Sequence, residues 1–171
     1  DADFSVIVYN FLDILSHART ETDIIRELTE DEASFRSLTR SWFEHSDLFI
    51  ILKLLSERGH TVIITSDHGT IRVDNPVKVT GDRDTSPNLR YKTGRNLQYN
   101  AREVYEVTRP EDIQLPRTNL SSSYIFAYNS DFLVYNNDAN KFIRYYRNTF
   151  QHGGISMEEM LVPYIVLKPK K

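Results

Sequence analysis

The feature that most constrains this fold is a pair of apolar, β-branched runs, each followed closely by an aspartate and a histidine. The first run, FSVIVYNF, lies near the start of the sequence, and the second, TVII, occupies residues 61–64. Between them, apolar side chains recur at helical spacing from about Glu32 to Glu57. Strand, helix and strand in this order predict a right-handed crossover and two buried, parallel strands. The sequence therefore predicts an α/β fold with a mainly parallel sheet flanked by helices.

The elements predicted around this unit are shorter. The acidic segment TETDIIRELTEDE predicts a helical connector, and Gly59 lies where the long helix should end. Farther along, TIRVDNPVKV alternates like an edge strand, and TGDRDTSPNLRYKTGRN predicts an inserted polar loop. Two strands around Asn129 and Ser130 predict a hairpin. A helix capped by Asp138, a short helix at SMEEML and a last strand, VPYIVLKP, follow.

The composition favours one globular domain. The 171 residues carry a net charge of −3, with 40% hydrophobic and 26% charged residues, as is typical of proteins that fold in water. The longest apolar run, LFIILKLL, is too short to span a bilayer and contains Lys53, so no membrane association is expected. No signal peptide is visible, and the absence of cysteine fits a cytoplasmic location. It also leaves histidine and carboxylate groups as the ligands for any transition metal.

Two Asp–His pairs follow the two apolar runs. Asp13 and His17 are four residues apart, so one helical turn would bring both side chains to the same side. Asp67 and His68 follow the second run in the same way. Because the carboxyl ends of parallel strands form the ligand crevice of an open sheet, we expect both pairs to face one pocket.

A third histidine motif begins at His152, in HGGISMEEMLVP, where two glycines permit an unusual backbone and a close approach. Each motif alone has an ordinary interpretation as a helical pair or a turn. Together they supply two carboxylates and three imidazoles, a ligand set that suits Zn²⁺ or Mn²⁺. Five ligands exceed those of one ordinary zinc site, so two metal ions are predicted. His45 and His60 are expected at the surface or in capping roles.

The order D-x-x-x-H, D-H-G and H-G-G resembles that of the alkaline phosphatase superfamily. The longer segments TSDHGTIRV, GDRDTSPNLRYKTGRNL and QHGGISMEEMLVPYIVL are similar to a PglZ domain. The segment VYNFLDILSHAR is similar to that of PorX-type response regulators, in which a PglZ domain follows a receiver domain and a helical domain. Such regulators control bacterial protein secretion. The resemblance implies that residues 1–171 are the C-terminal part of an alkaline-phosphatase-like domain.

The resemblance also implies a division of the ligands. Asp13, His17 and His152 would bind one metal, and Asp67 and His68 would bind the second. The second metal would also take an aspartate and a nucleophilic serine or threonine from a preceding part of the domain. No catalytic nucleophile is therefore expected in this chain. The implied chemistry is two-metal phosphoryl transfer, with zinc preferred to manganese.

Cationic side chains are concentrated in the predicted polar loop. They are Arg83, Arg90, Lys92 and Arg95. Guanidinium groups suit phosphate oxygens, so these residues are candidates for binding a nucleotide-like substrate. A solvated loop is the equally weighted alternative. Ser156 and Glu159 are expected to start a helix through a capping box.

Three functions are compatible with these residues. The first is a metal-dependent phosphodiesterase or phosphatase acting on an oligonucleotide or cyclic nucleotide, as the output domain of a signalling protein. The second is a catalytically silent regulatory domain that binds a sigma factor or a secretion component. The third, a phosphate-transferring mutase, is disfavoured because no second substrate domain is visible. The receiver and helical domains of the same protein are expected partners, as is a second copy in a homodimer.

Overall fold

The computed structural model describes residues 4–82, 84–117 and 121–170, apart from the side chains of residues 19–21. These residues form two compact units. Within the described ranges, no helix is both long enough and apolar enough to cross a lipid bilayer.

The first unit is helical. It includes the chain up to Val62 and the tail from Lys168. Its helices are α1 (Phe11–Glu21), α2 (Asp23–Leu28), α3 (Glu32–His45) and α4 (Asp47–Glu57). The short acidic connector was expected to be helical, and α2 confirms that expectation.

The prediction of a buried strand in the first apolar run is wrong. Residues 4–10 contain no regular secondary structure, and the side chains of Val6, Ile7 and Val8 are exposed. A strand needs a neighbour for its N–H and C=O groups, and none of the described residues pairs with this segment. Without that strand, the predicted βαβ crossover does not form.

The single long helix predicted from Glu32 to Glu57 is two helices that meet at Ser46. The backbone of Ser46 is extended, and its hydroxyl accepts a hydrogen bond from the N–H of Phe49 at 3.3 Å. Ser46 is thus the N-cap of α4, and the negative charge of the following aspartate interacts favourably with the positive end of the helix dipole. Gly59 has a φ of +80° just beyond the end of α4, as predicted.

The second unit, Ile63–Leu167, contains short strands and two helices. The strands are β1 (Val62–Thr65), β2 (Ile71–Val73), β3 (Asn75–Val79), β4 (Tyr91–Gly94), β5 (Val104–Val107), β6 (Ser123–Ala127), β7 (Asp131–Tyr135), β8 (Thr149–Gln151) and β9 (Tyr164–Leu167). The helices are α5 (Ala139–Tyr146) and α6 (Met157–Met160), with a 3₁₀ turn at Pro110–Ile113. The helices α5 and α6 and the last strand confirm three predictions. The predicted capping of α5 by Asp138 is wrong, because Asp138 has a φ of +57° and its side chain makes no capping hydrogen bond to the described residues. The predicted polar loop is partly wrong, because it contains β4.

The strand pairing is more antiparallel than predicted. The sheets are small: β1 pairs with β9, β2 with β8, β3 with β7, and β6 lies between β4 and β5. The β3–β7 pair is parallel, whereas the pairings of β2 with β8 and of β6 with β4 and β5 are antiparallel. Helices and strands together fit an α/β class, but a mainly parallel sheet is not confirmed.

The predicted hairpin is wrong in its pairing. Strands β6 and β7 flank a turn in which Asn129 has a φ of +37°, as the sequence suggested. However, the two strands belong to different sheets. The carbonyls of Leu89 and Arg90 lie between them and accept hydrogen bonds from Leu133 and Ala127, at 2.7 and 2.9 Å. The segment before β4 therefore separates the two strands.

The core of the second unit lies on both sides of β7. Leu133 packs in a cluster with valines of β3 and β5, whereas Phe132 and Val134 pack with Val73 in another. The alternation follows from the two-residue period of a strand. Side chains of α5 cover the second cluster. After α5 the chain continues into β8 and then reaches His152.

Candidate metal centre

The DHG motif begins two residues after β1. The backbone N–H of His68 donates to Oδ1 of Asp67 at 3.1 Å, and Nδ1 of its ring lies 3.0 Å from the carbonyl oxygen of Gly69. Since a carbonyl can only accept, Nδ1 carries the proton, and Nε2 keeps its lone pair. Nε2 is the nitrogen that His68 offers to a metal ion.

The carboxylate of Asp67 lies beside that nitrogen. Oδ1 of Asp67 is 3.7 Å from Nε2 of His68. The Asp67 side chain is 90% exposed, and that of His68 is 30% exposed. A distance of this size is too long for a direct hydrogen bond. The two atoms are therefore close but not bonded to each other.

Gly69 joins the DHG motif to the start of α6. Its N–H donates to the carbonyl oxygen of Glu159 at 2.8 Å. A Cβ at this position would lie 2.0 Å from the carbonyl oxygen of Glu158. Glycine is required here because the two backbones approach too closely for any side chain.

The HGG motif brings His152 onto His68. His152 follows β8, which pairs with β2 in antiparallel register. The two imidazole rings stack with centroids 3.8 Å apart and planes 9° apart. The structure thus brings together three of the predicted ligands, Asp67, His68 and His152, within the second unit.

Asp13 and His17 occupy one face of α1, as their spacing predicted. Oδ1 of Asp13 and Nε2 of His17 are 3.6 Å apart, and both side chains are about half exposed or more. This pair belongs to the first unit, and the other three candidate ligands belong to the second. The grouping of Asp13 and His17 with His152 therefore stays a prediction.

Comparison with known families agrees with the motifs. Residues 1–167 match the family described as the BREX system PglZ alkaline phosphatase-like domain. The chain belongs to the PglZ family. Membership supports chemistry of the phosphoesterase type, and the alkaline phosphatase-like superfamily is typically metal-dependent. No curated protein matches the sequence significantly. The match is to the PglZ family as a whole, so the likeness to PorX-type regulators stays a prediction.

The cations predicted to bind substrate have different surroundings in this PglZ domain. Arg90 and Lys92 are buried at 0% and 1% exposure, whereas Arg95 is exposed. Arg83 lies outside the described residues. Substrate binding by the four stays a prediction, and burial argues against it for Arg90 and Lys92.

The side chain of Arg90 is occupied inside the PglZ domain. Its Nε and Nη2 donate to the two carboxylate oxygens of Glu159, both at 2.9 Å, and its Nη1 donates to the carbonyl of Asp131. This is a bidentate ion pair between two buried groups. The guanidinium is therefore engaged within the fold, and its contact with phosphate stays a prediction.

Glu159 lies in the first turn of α6, as the sequence predicted, but it does more than cap a helix. Ser156 is the N-cap, and its N–H donates to Oε2 of Glu159 at 3.2 Å, while the N–H of Gly154 donates to Oε1 at 2.9 Å. Burial alone would raise the pKa of the Glu159 carboxyl, but the hydrogen bonds and charge of Arg90, with the Gly154 N–H, hold that pKa below its usual value. Sequence reasoning missed this pairing, because no local pattern connects Arg90 to Glu159.

Proposed function

We propose that the domain carries a two-metal centre and transfers phosphoryl groups from nucleotide-like phosphodiesters. Asp13, His17 and His152 bind one divalent ion, and Asp67 and His68 bind the other. Zn²⁺ is the preferred ion and Mn²⁺ the alternative, since both accept imidazole and carboxylate ligands. The observation that carries the proposal is the stacking of His68 on His152 beside Asp67.

The spacing within both Asp–His pairs suits a shared metal ion. Two ligands of a tetrahedral zinc ion, each about 2.1 Å from the metal, lie roughly 3.4 Å from each other. The carboxylate and imidazole atoms are 3.6 Å apart in the pair of Asp13 and His17 and 3.7 Å apart in the pair of Asp67 and His68. Both distances exceed those of hydrogen bonds and are close to the value for metal ligands.

The stacked rings support two ions rather than one. The lone pair of an imidazole nitrogen lies in the plane of its ring. The planes of His68 and His152 differ by 9°, with centroids 3.8 Å apart, so their lone pairs do not converge on a common point. Each ring can serve its own ion, and ions in two-metal sites are typically about 3.5 to 4 Å apart.

The residues of the chain have separate parts in this proposal. When bound, the two ions lower the pKa of a nucleophile or water and neutralise charge on the transferring phosphoryl group. Asp13 and Asp67 supply the negative charge that holds cations, and His68 binds through Nε2 because Gly69 retains the proton on Nδ1. The nucleophile comes, by the resemblance, from a preceding part of the domain.

We extend the proposal to the role of the protein. The domain is the output domain of a cytoplasmic response regulator of the PorX type, and its receiver domain controls the phosphodiesterase and, through it, protein secretion. The similarity of VYNFLDILSHAR to the corresponding segment of those regulators supports this role. Short oligonucleotides and cyclic nucleotides are the proposed substrates.

The test uses the protein that joins this domain to the preceding sequence implied by the resemblance. Metal content is measured after dialysis against Zn²⁺ or Mn²⁺, and turnover is measured on bis-p-nitrophenyl phosphate and short RNA. We expect two ions per chain and metal-dependent turnover. His68→Ala should lose one ion and at least about 100-fold in turnover, since even residues that only support metal ligands are worth 10- to 100-fold.

His60→Ala is the matched control, because His60 is exposed just before β1 and is assigned no ligand role. It should retain both ions and full turnover. A wild-type protein that binds neither metal would overturn the two-metal centre. Metal binding without turnover on either substrate would instead favour the catalytically silent regulatory domain.

A further inference from the structure

One residue bonds to both histidine-bearing motifs of the second unit. The backbone carbonyl of Glu159 accepts from the N–H of Gly69, which follows His68. Its carboxylate accepts from the N–H groups of Gly154 and Ser156, in the segment that follows His152. Glu159 therefore connects the DHG and HGG motifs through its main chain and its side chain.

The glycines of the HGG motif make this contact possible. Gly153 has a φ of +97°, which residues with side chains rarely adopt. A Cβ at Gly154 would lie 2.5 Å from Oε2 of Glu159. The carboxylate thus fills the space that a side chain at position 154 would need, which fixes the loop around it.

A second group contacts the loop from the segment before β4. Asn88 donates from Nδ2 to the carbonyl of His152 at 3.4 Å, while its Oδ1 accepts from the N–H groups of Arg90 and Tyr91 at 2.7 and 3.2 Å. Two residues later, the guanidinium of Arg90 donates two hydrogen bonds to the Glu159 carboxylate. The segment of residues 88–90 therefore contacts the HGG motif directly at the carbonyl of His152 and indirectly through the carboxylate of Glu159.

The burial of this ion pair is more than a helix cap requires. The capping box needs only hydrogen bonds to backbone N–H groups, whereas Glu159 is 3% exposed and also pairs with Arg90, which is 0% exposed. Buried ion pairs contribute little net stability, because desolvation offsets most of their attraction, and their best-attested use is to specify one conformation. Here the conformation specified is that of residues 152–156.

We infer that Glu159, held by Arg90, is a positioning residue that fixes His152 against His68 for metal binding. The inference rests on the proposed function, in which His152 is a metal ligand. It adds a residue that contacts neither metal nor substrate and acts through the backbone of the HGG motif. Residues that orient metal ligands typically change metal affinity by 10- to 100-fold.

The test compares wild type with Glu159→Gln in the same protein used for the metal measurements. The amide of glutamine replaces one carboxylate oxygen with an NH₂ group. Each of the two oxygens accepts from one backbone N–H and one guanidinium N–H, so two contacts become donor against donor. In the metal-free protein, NMR signals of the His68 and His152 rings should shift, while those of His45 and His60 stay. Affinity for the ion bound by His152 should fall at least about tenfold.

Val79→Ala controls for lost stability. Val79 is buried at 1% in the cluster with Leu133, and its truncation should destabilise the fold without touching either motif. It should leave the four ring signals and the metal affinity unchanged. If Glu159→Gln gives the wild-type ring signals and affinity, the positioning role is overturned.

Asn88→Asp gives a second test if Glu159→Gln does not fold. It keeps the acceptor for Arg90 and Tyr91 but places a carboxylate oxygen against the carbonyl of His152. The ring signals of His152 should shift, and unchanged signals would count against the role. Because these signals are recorded without metal, a protein that binds no ion would refute the two-metal centre and still report on positioning.

Discussion

Two cations two residues apart are both buried in the second unit, in opposite electrostatic surroundings. Arg90, just before β4, meets the carboxylate of Glu159 in a bidentate pair. Lys92, within β4, lies with Nζ 4.4 Å from the centroid of the Tyr135 ring, and no carboxylate of the described residues forms an ion pair with it. Equal burial therefore comes with a matched charge at one position and an unmatched charge at the other.

The difference appears in the pKa values of the ionisable groups at the two positions. Burial lowers the pKa of Lys92 to about 8 from 10.5, because the charged ammonium loses its hydration without gaining a carboxylate. Beside Arg90, the pKa of the Glu159 carboxyl stays below its usual value in spite of burial, so the carboxylate remains charged at neutral pH. The partner, not the depth of burial, decides whether the charged form of a buried group is favoured or disfavoured.

The largest effect is expected from breaking the matched pair. Arg90→Met leaves the Glu159 carboxylate buried without its cation, which should lower the free energy of unfolding by about 3–5 kcal/mol. Removing both charges with Arg90→Met and Glu159→Gln should recover part of that loss, because the amide oxygen of glutamine still accepts from one of the backbone N–H groups that the carboxylate binds. Urea denaturation at pH 7 measures both variants, and a single variant as stable as wild type would contradict the comparison.

Acid should weaken the same pair. The folded pKa of Glu159 lies below its ordinary value of 4.5, so the unfolded chain binds the proton more readily. The stability that this group contributes is fully present above about pH 4.5 and is lost as pH falls through the folded pKa. Between pH 6 and pH 3, the double variant should therefore lose less stability than wild type.

A smaller effect, of opposite sign, is expected at the unmatched position. Below pH 8, Lys92 is charged in both the folded and unfolded states and carries the full cost of burial, about 3 kcal/mol for a shift of this size. Lys92→Met should therefore raise the free energy of unfolding at pH 7 by up to that amount.

The pH profile separates charge from packing at Lys92. Because the folded pKa is depressed, the unfolded state binds more protons between pH 8 and 10.5, and wild-type stability rises through that range. The advantage of Lys92→Met should shrink over the same range. An advantage that is absent at pH 7, or equal at pH 7 and pH 10, would show that the charge of Lys92 is not the cause.

Local signals account for what the sequence predicted. The end of β1, the turn at Asn129, the start of α6 at Ser156 and the spacing of Asp13 and His17 all depend on residues within a few positions of one another. The family resemblance added membership of the PglZ family, which the match over residues 1–167 confirms.

Long-range partners account for what the sequence did not predict. The carboxylate partner of Arg90 lies 69 positions away, beyond any helical or strand period, so no local pattern predicts the ion pair. Strand β4 was missed because the buried Lys92 makes its pattern look polar. The first apolar run was assigned to a strand by its composition, but composition does not supply a neighbouring strand.

The smallest expected effect concerns the contact between Lys92 and the Tyr135 ring. Its coupling free energy measures how much the ring stabilises an ammonium group that has no carboxylate partner among the described residues. Cation–π contacts contribute roughly 0.5–2 kcal/mol, more when the cation is desolvated, as it is here. A double-mutant cycle with Lys92→Met and Tyr135→Leu at pH 7 should give a coupling in that range. Since the loss of the Tyr135 hydroxyl bonds to Thr85 and Ser86 occurs in both arms, it cancels from the cycle. At pH 10, where the folded-state ammonium is neutral, the coupling should fall. A coupling near zero at pH 7 would leave Lys92 buried with no electrostatic compensation from Tyr135.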